Sequence, residues 1–183
     1  MTATTPPFEP LVALTAALER AGVRCVLGGS GLLAALGCVD RVNDWDLQTD
    51  ASEDAVRAAL EGRGAAYKGG DTLHADSKFT LAAERAEVIC RFAFFAPLGV
   101  IRLPALAAGA WRGVPLASPE VWAVAYALLG AGERSELRRE RAEMLFTHLT
   151  RHGADARAVR ALLAQPLPPP LAARLAALPA HEG

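Results

Sequence analysis

Residues 26–50 read VLGGSGLLAALGCVDRVNDWDLQTD, two strand-like segments joined by a glycine turn and a short helix. A short apolar strand (RCVL, 24–27) runs into the turn Gly28-Gly29-Ser30-Gly31, and a short apolar helix (LLAAL) follows, closed by Gly37. After a polar loop, Asp44-Trp45-Asp46-Leu47-Gln48 alternates polar and apolar with period two, as a half-exposed strand does. The i, i+2 spacing points Asp44 and Asp46 to the same side of that strand, a few ångströms apart. Two such carboxylates repel, and without a cation one of them tends to keep its proton. A divalent metal relieves the repulsion, and oxygen-only donors suit Mg²⁺, which takes one or two carboxylates together with substrate phosphates. Gly28, Gly29 and Ser30 let the backbone come close to a phosphate at a helix N-terminus.

Each element has a plainer reading. An Asp-x-Asp is commonly the solvent face of an edge strand, a Gly-Gly pair commonly a tight turn, and Ser30 commonly an N-cap. The spacing joins them: 14 positions separate Ser30 from Asp44, which puts a phosphate element and a metal element on adjacent strands.

On these residues the chain resembles the nucleotidyltransferase superfamily, whose fingerprint is a strand, a Gly-Ser or Gly-Gly turn, a short helix and then Asp-x-Asp on the next strand. It is most similar to the minimal group that includes aminoglycoside- and lincosamide-nucleotidyltransferase-like and AbiEii-toxin-like members. The resemblance covers about residues 24–50 closely and the rest in layout, including a helix that opens on Ser118-Pro119-Glu120. It implies two Mg²⁺ ions bridging Asp44, Asp46 and the triphosphate of an NTP, with Gly28, Gly29 and Ser30 at the phosphates. It also implies in-line attack of a hydroxyl on the α-phosphorus. Arg41 is the counterpart of an Arg that often precedes the carboxylates, and Lys78 is a candidate phosphate contact, as is Arg91. A third carboxylate, metal ligand or base, is expected on a later strand. Glu87 is the first candidate, with Glu84 and Asp76 as alternatives. The implied activity is transfer of a nucleoside monophosphate to a hydroxyl of a small molecule or a protein. The Lys-Asp pair of many antibiotic-modifying members is replaced here by GERSELRRE. Without a third carboxylate the alternative is an inactive binding or regulatory protein of the toxin–antitoxin type.

Working outward, 183 residues with 52% hydrophobic and 21% charged content exclude an intrinsically disordered chain. A net charge of −1 lacks the footprint of a dedicated nucleic-acid binder, and all the basic residues except Lys68 and Lys78 are Arg. Cys25, Cys38 and Cys90 form no CxxC and argue against a disulfide framework. The opening MTATTPPFEP does not read as a signal peptide, and no run reads as a membrane span, so a cytoplasmic protein without a membrane partner is expected.

The remaining pattern predicts helices over 10–21, 52–64, 119–130, 134–151 and 154–164, and a last one around Leu171–Leu178 after the break QPLPPP. It predicts a hairpin of 79–83 with 88–95 across Glu84-Arg85, and further strands at 100–103 and 111–116. Trp45 is expected under the sheet, His148 and His152 read as a surface pair on a helix, and ERSELRRERAE reads as a solvated helix face. The fold class is α+β: a nucleotidyltransferase-like mixed sheet flanked by helices over 1–117 and a C-terminal helical bundle over 118–183. A rival GxGxxA reading at Gly29-Ser30-Gly31, with Asp50 as ribose ligand, requires a parallel βαβ unit. It is disfavoured because Gly37 ends the helix early and hairpins follow.

Overall fold

The structure is a computed structural model that describes residues 5–131 and 135–181. The first residues of MTATTPPFEP, the Gly132–Arg134 part of GERSELRRE and the first residue of the helix expected over 134–151 lie outside the described residues. Among the described residues no helix is long and apolar enough to cross a membrane.

The chain opens with helix α1 (Phe8–Arg20), whose Phe8, Leu11, Leu14 and Leu18 recur at helical spacing and are all buried. Strand β1 (Val26–Leu27) leads into α2 (Gly29–Ala35), then β2 (Trp45–Thr49) and α3 (Glu53–Ala59). Ser52 caps α3 as its sequence position suggests, accepting the Ala55 N–H at 3.2 Å. Strands β3 (Ala66–Lys68), β4 (Ser77–Leu81) and β5 (Ala86–Cys90) follow, then the separate hairpin β6 (Ala93–Ala96) and β7 (Gly99–Arg102), and the hairpin β8 (Ala107–Trp111) and β9 (Val114–Ala117). Helices α4 (Pro119–Leu129), α5 (Glu136–His152), α6 (Ala156–Leu163) and α7 (Pro169–Ala176) complete the fold, with a short parallel pair β10 (Ala154–Asp155) and β11 (Ala180–His181).

Seven strands form one mixed sheet in the order β3-β4-β5-β2-β1-β9-β8. Strand β2 runs parallel to β5 and antiparallel to β1, while β1 runs parallel to β9. The antiparallel β1–β2 pair removes the dinucleotide-fold rival, which needs those two strands parallel. The expected strand 88–95 is divided instead: β5 ends at Cys90, and Arg91 takes a left-handed φ of 54° before the chain starts β6. QPLPPP is not wholly a break, because Pro169 sits at the start of α7, where a missing N–H costs nothing.

One apolar core runs through the molecule, from Phe8 on α1 to Leu175 on α7, and takes in the sheet and both sides of residue 117. Trp45 is buried as expected: Phe8 meets it edge-on at 5.6 Å and its indole N–H donates to the Pro7 carbonyl. Ser118 caps α4 by accepting the Val121 N–H, and most of α4 from Glu120 to Tyr126 is buried, so this helix lies between the sheet and the later helices.

Candidate active site

Strands β2 and β5 lie side by side with Asp46 paired in register to Glu87 and Trp45 to Ala86. In a parallel pair, neighbouring residues project to the same face, so Glu87 stands beside Asp46. Asp44 precedes β2 by one residue and, two positions from Asp46, joins the same face. Asp44 is exposed, whereas Asp46 and Glu87 are half-buried. On the next strand, the Lys78 ammonium lies 3.5 Å from a Glu87 carboxylate oxygen.

The three acids sense one another. Asp46 is pushed up to about 7, first by burial and then by the charges of Asp44 and Glu87, against the pull of Lys78 and Arg141. Asp44, exposed as a residue but with its carboxyl partly shielded from water, is also pushed up, first by that shielding and next by Glu87, with Arg141, Arg85 and Lys78 opposing. A site that leaves carboxylates this poorly paired calls for a cation.

The glycine turn is shaped by those neighbours. Gly29 has a φ of +56°, and a Cβ there would stand 1.7 Å from the Asp46 Oδ2. Conformation and space both demand glycine at this position. At Gly28 a Cβ would lie 2.0 Å from the Trp122 indole, so the turn is pressed between β2 and α4, and the Gly28 N–H donates to the Asp46 carbonyl at 2.8 Å. Gly28, not Ser30, is the N-cap of α2. Ser30 is buried, and its hydroxyl accepts the Asn43 N–H and donates to the Asp44 carbonyl. Arg85 grips the same loop from the other side, donating to the Asn43 carbonyl while its own carbonyl accepts the Trp45 N–H. The segment that carries Asp44 is thus tied at both flanks.

The structure brings together Asp44, Asp46, Glu87, Lys78, Gly28, Gly29 and Ser30. Arg41 is exposed and is not among the cations that weigh most on Asp44 or Asp46. Glu84 faces Arg63 at 3.8 Å, and buried Asp76 pairs with His74 and accepts the Ala93 N–H, so both acids are engaged away from Asp44 and Asp46. Arg91 follows the far end of β5, about 13 Å along the strand from Glu87 at the usual rise per residue, which puts it at the opposite end of the strand from the three acids.

Two residues of the helical segment were not anticipated. Arg141 on α5 acts on both aspartates, and its guanidinium lies 3.3 Å from the Tyr126 hydroxyl and 5.5 Å from that ring's centre. Tyr126, buried on α4, is pushed up by burial first and then by the Asp46 charge. The reading of ERSELRRERAE as wholly solvated is therefore corrected at Arg141. A signal existed: Arg141 stands one turn before Leu145 and beside Ala142, on the edge of the stripe that α5 buries.

The donor set fits a hard divalent cation. It is all oxygen, carries three acids against one lysine contact, and sits over a backbone that only glycine leaves open. Among the described residues no three acidic, His or Cys side chains are closed around a single point. The acids are instead spread over two strands, an arrangement that phosphate oxygens and water can complete.

No protein-family model matches the chain, and no curated protein matches it. Among solved structures, the antibiotic-resistance factor ANT(2'')-Ia superposes with a TM-score of 0.56 at 19% identity, over 79% of this chain and 85% of that one. A candidate nucleotidyltransferase from Thermotoga maritima superposes with a TM-score of 0.48 at 20% identity, over 81% and 98% respectively. The first of these carries the fold assignment: the chain has the α+β fold of a nucleotidyltransferase.

Proposed function

We propose that this protein transfers a nucleoside monophosphate from an NTP to a hydroxyl group, on a small molecule or on a protein side chain. The observation that supports this most is the register of β2 against β5, which sets Glu87 beside Asp46 on the face that Asp44 shares. Asp44, Asp46 and Glu87 would hold Mg²⁺, which when bound would neutralise charge at the reacting phosphate and the leaving pyrophosphate.

The remaining steps belong to the chain itself. The Gly28-Gly29 backbone, bare of side chains, leaves room for the outer phosphates beside Asp46. Lys78 and Arg141 offset the negative charge that a triphosphate adds next to three acids. The acceptor oxygen bonds to the α-phosphorus while the α–β bridging P–O bond breaks, and pyrophosphate leaves with that electron pair. The acceptor proton passes to a carboxylate. Glu87 suits either duty, proton acceptor or third oxygen ligand. Ser30 and Arg85 act indirectly, by fixing the loop that presents Asp44.

The test is to mix each labelled NTP with Mg²⁺ and candidate hydroxyl acceptors and to measure pyrophosphate release. Release that falls to background in Asp44→Asn supports the reading. Failure of the wild-type protein to bind NTP or Mg²⁺ overturns it. The non-catalytic alternative rests on the lack of a third carboxylate within bridging distance of Asp44 and Asp46, and the register of Glu87 with Asp46 is what favours the catalytic reading over it.

A further inference from the structure

Helix α5 carries His148 and His152 one turn apart in its final residues, and neither takes part in the site above. Their ring centres are 4.5 Å apart with the planes inclined at 37°. Both open onto a groove of about 730 Å³ whose opposite wall is Leu36, Gly37 and Cys38 at the end of α2. Among the described residues neither imidazole is engaged by a hydrogen bond or an ion pair. An i, i+4 pair of histidines on one helix face can direct one nitrogen each to a common ion.

Two features of the surroundings favour a cation there. The buried Glu120 carboxylate is the nearby anion acting on His148. It is held in place by the Ser118 hydroxyl and the Asp155 N–H. The helix also stops at His152, before Gly153, so an ion on the pair lies at the negative end of the α5 dipole.

We infer that His148 and His152 form a chelating site for a borderline divalent transition cation of the Zn²⁺ class, separate from the carboxylate site. Imidazole donors select such ions, whereas the carboxylates of β2 and β5 suit Mg²⁺. No third His, Cys, Asp or Glu is drawn to the same point among the described residues, so solvent in the open groove completes the coordination. This distinguishes it from a closed structural zinc centre. The inference does not depend on nucleotidyl transfer. The site lies about two helical turns beyond Arg141, on the helix that also faces the aspartates.

The experiment is a calorimetric titration of the full chain with Zn²⁺, with Mg²⁺ in excess to occupy the carboxylates. His148→Gln and His152→Gln should each weaken Zn²⁺ binding at least tenfold while unfolding at the wild-type temperature, and Asp46→Asn should leave it unchanged. Paramagnetic resonance of bound Cu²⁺ should show two nitrogen ligands in the wild type and one in each histidine variant. Unchanged affinity in both histidine variants overturns the inference, as does loss of Zn²⁺ binding in Asp46→Asn, or a Cu²⁺ spectrum without nitrogen coupling.

Discussion

At the start of β2 and β5, Asp44, Asp46 and Glu87 stand together, and burial and mutual repulsion push the two aspartates up, Asp46 to about 7. At the foot of α4, Glu120 is still more deeply buried, yet one of its oxygens receives the Ser118 hydroxyl and the other the Asp155 N–H at 2.8 Å. Both places take an acid out of water, Asp46 in one and Glu120 in the other, but only Glu120 is satisfied. Glu120 joins α4 to the turn before α6, and its hydrogen bonds offset its desolvation. Asp44 and Asp46 offset theirs poorly, which is the cost expected of the metal ligands proposed above.

Replacing an acid in each place tests that contrast, and the largest effect belongs to Asp46. Asp46→Asn should abolish NTP-dependent pyrophosphate release, a fall of about 10³-fold or more, while raising the unfolding temperature of the metal-free protein at neutral pH. The pH dependence follows from the sign of the shift. The folded-state value of about 7 lies above the ordinary aspartate value of 3.8, so between those values the native protein holds a proton that the unfolded chain has lost. Stability of the metal-free protein should therefore decline as pH rises from about 4 to about 7, by an amount on the order of 4 kcal/mol. Added Mg²⁺ should stabilise little near pH 5 and increasingly toward pH 8. Urea titrations across this range should show both trends in the wild type and their loss in Asp46→Asn.

Glu120→Ala should do the reverse. It leaves a hydroxyl and an N–H in the interior without an acceptor, so the denaturant midpoint should drop by the equivalent of about 2–3 kcal/mol. Activity per folded molecule should stay near wild type. A loss of activity at full stability would break the distinction between the two acids.

The smallest effect is expected at Arg141, which faces the aspartates from across the fold. Arg141→Ala should raise the KM for NTP about tenfold and leave kcat within a few-fold, because a charge that offsets the triphosphate acts on binding before it acts on the chemical step. Arg141→Lys should recover part of the loss. An unchanged KM would confine the site to the sheet.

How much was legible varies by element. The glycine turn, Asp44 and Asp46 lie within 26–50, and local spacing alone placed the acids on one face of one strand. Glu87 could be named only beside Glu84 and Asp76, because choosing among three acids requires the pairing of β5 with β2, and no local pattern encodes that register. Arg141 was hidden for a similar reason: in a run of arginines and glutamates, only the packing of α5 against α4 shows which guanidinium turns inward. Arg41 is exposed and outside the charges that weigh most on the aspartates, and Arg91 follows the far end of β5, so closeness in sequence to a motif does not by itself bring a side chain to it.

The amino-acid order by itself determined the α+β class, the amphipathic helices, the capping serines at 52 and 118, and the pair of aspartates after a glycine turn. These depend on periods of two and 3.6 residues and on bonds spanning a few positions, which the chain carries locally. The tertiary structure alone decided the parallel pairing that sets Glu87 beside Asp46, the pressure of Trp122 and Asp46 that makes glycine necessary at 28 and 29, and the approach of Arg141. Each joins residues 17 or more positions apart, and only the burial of a shared core holds them at those distances.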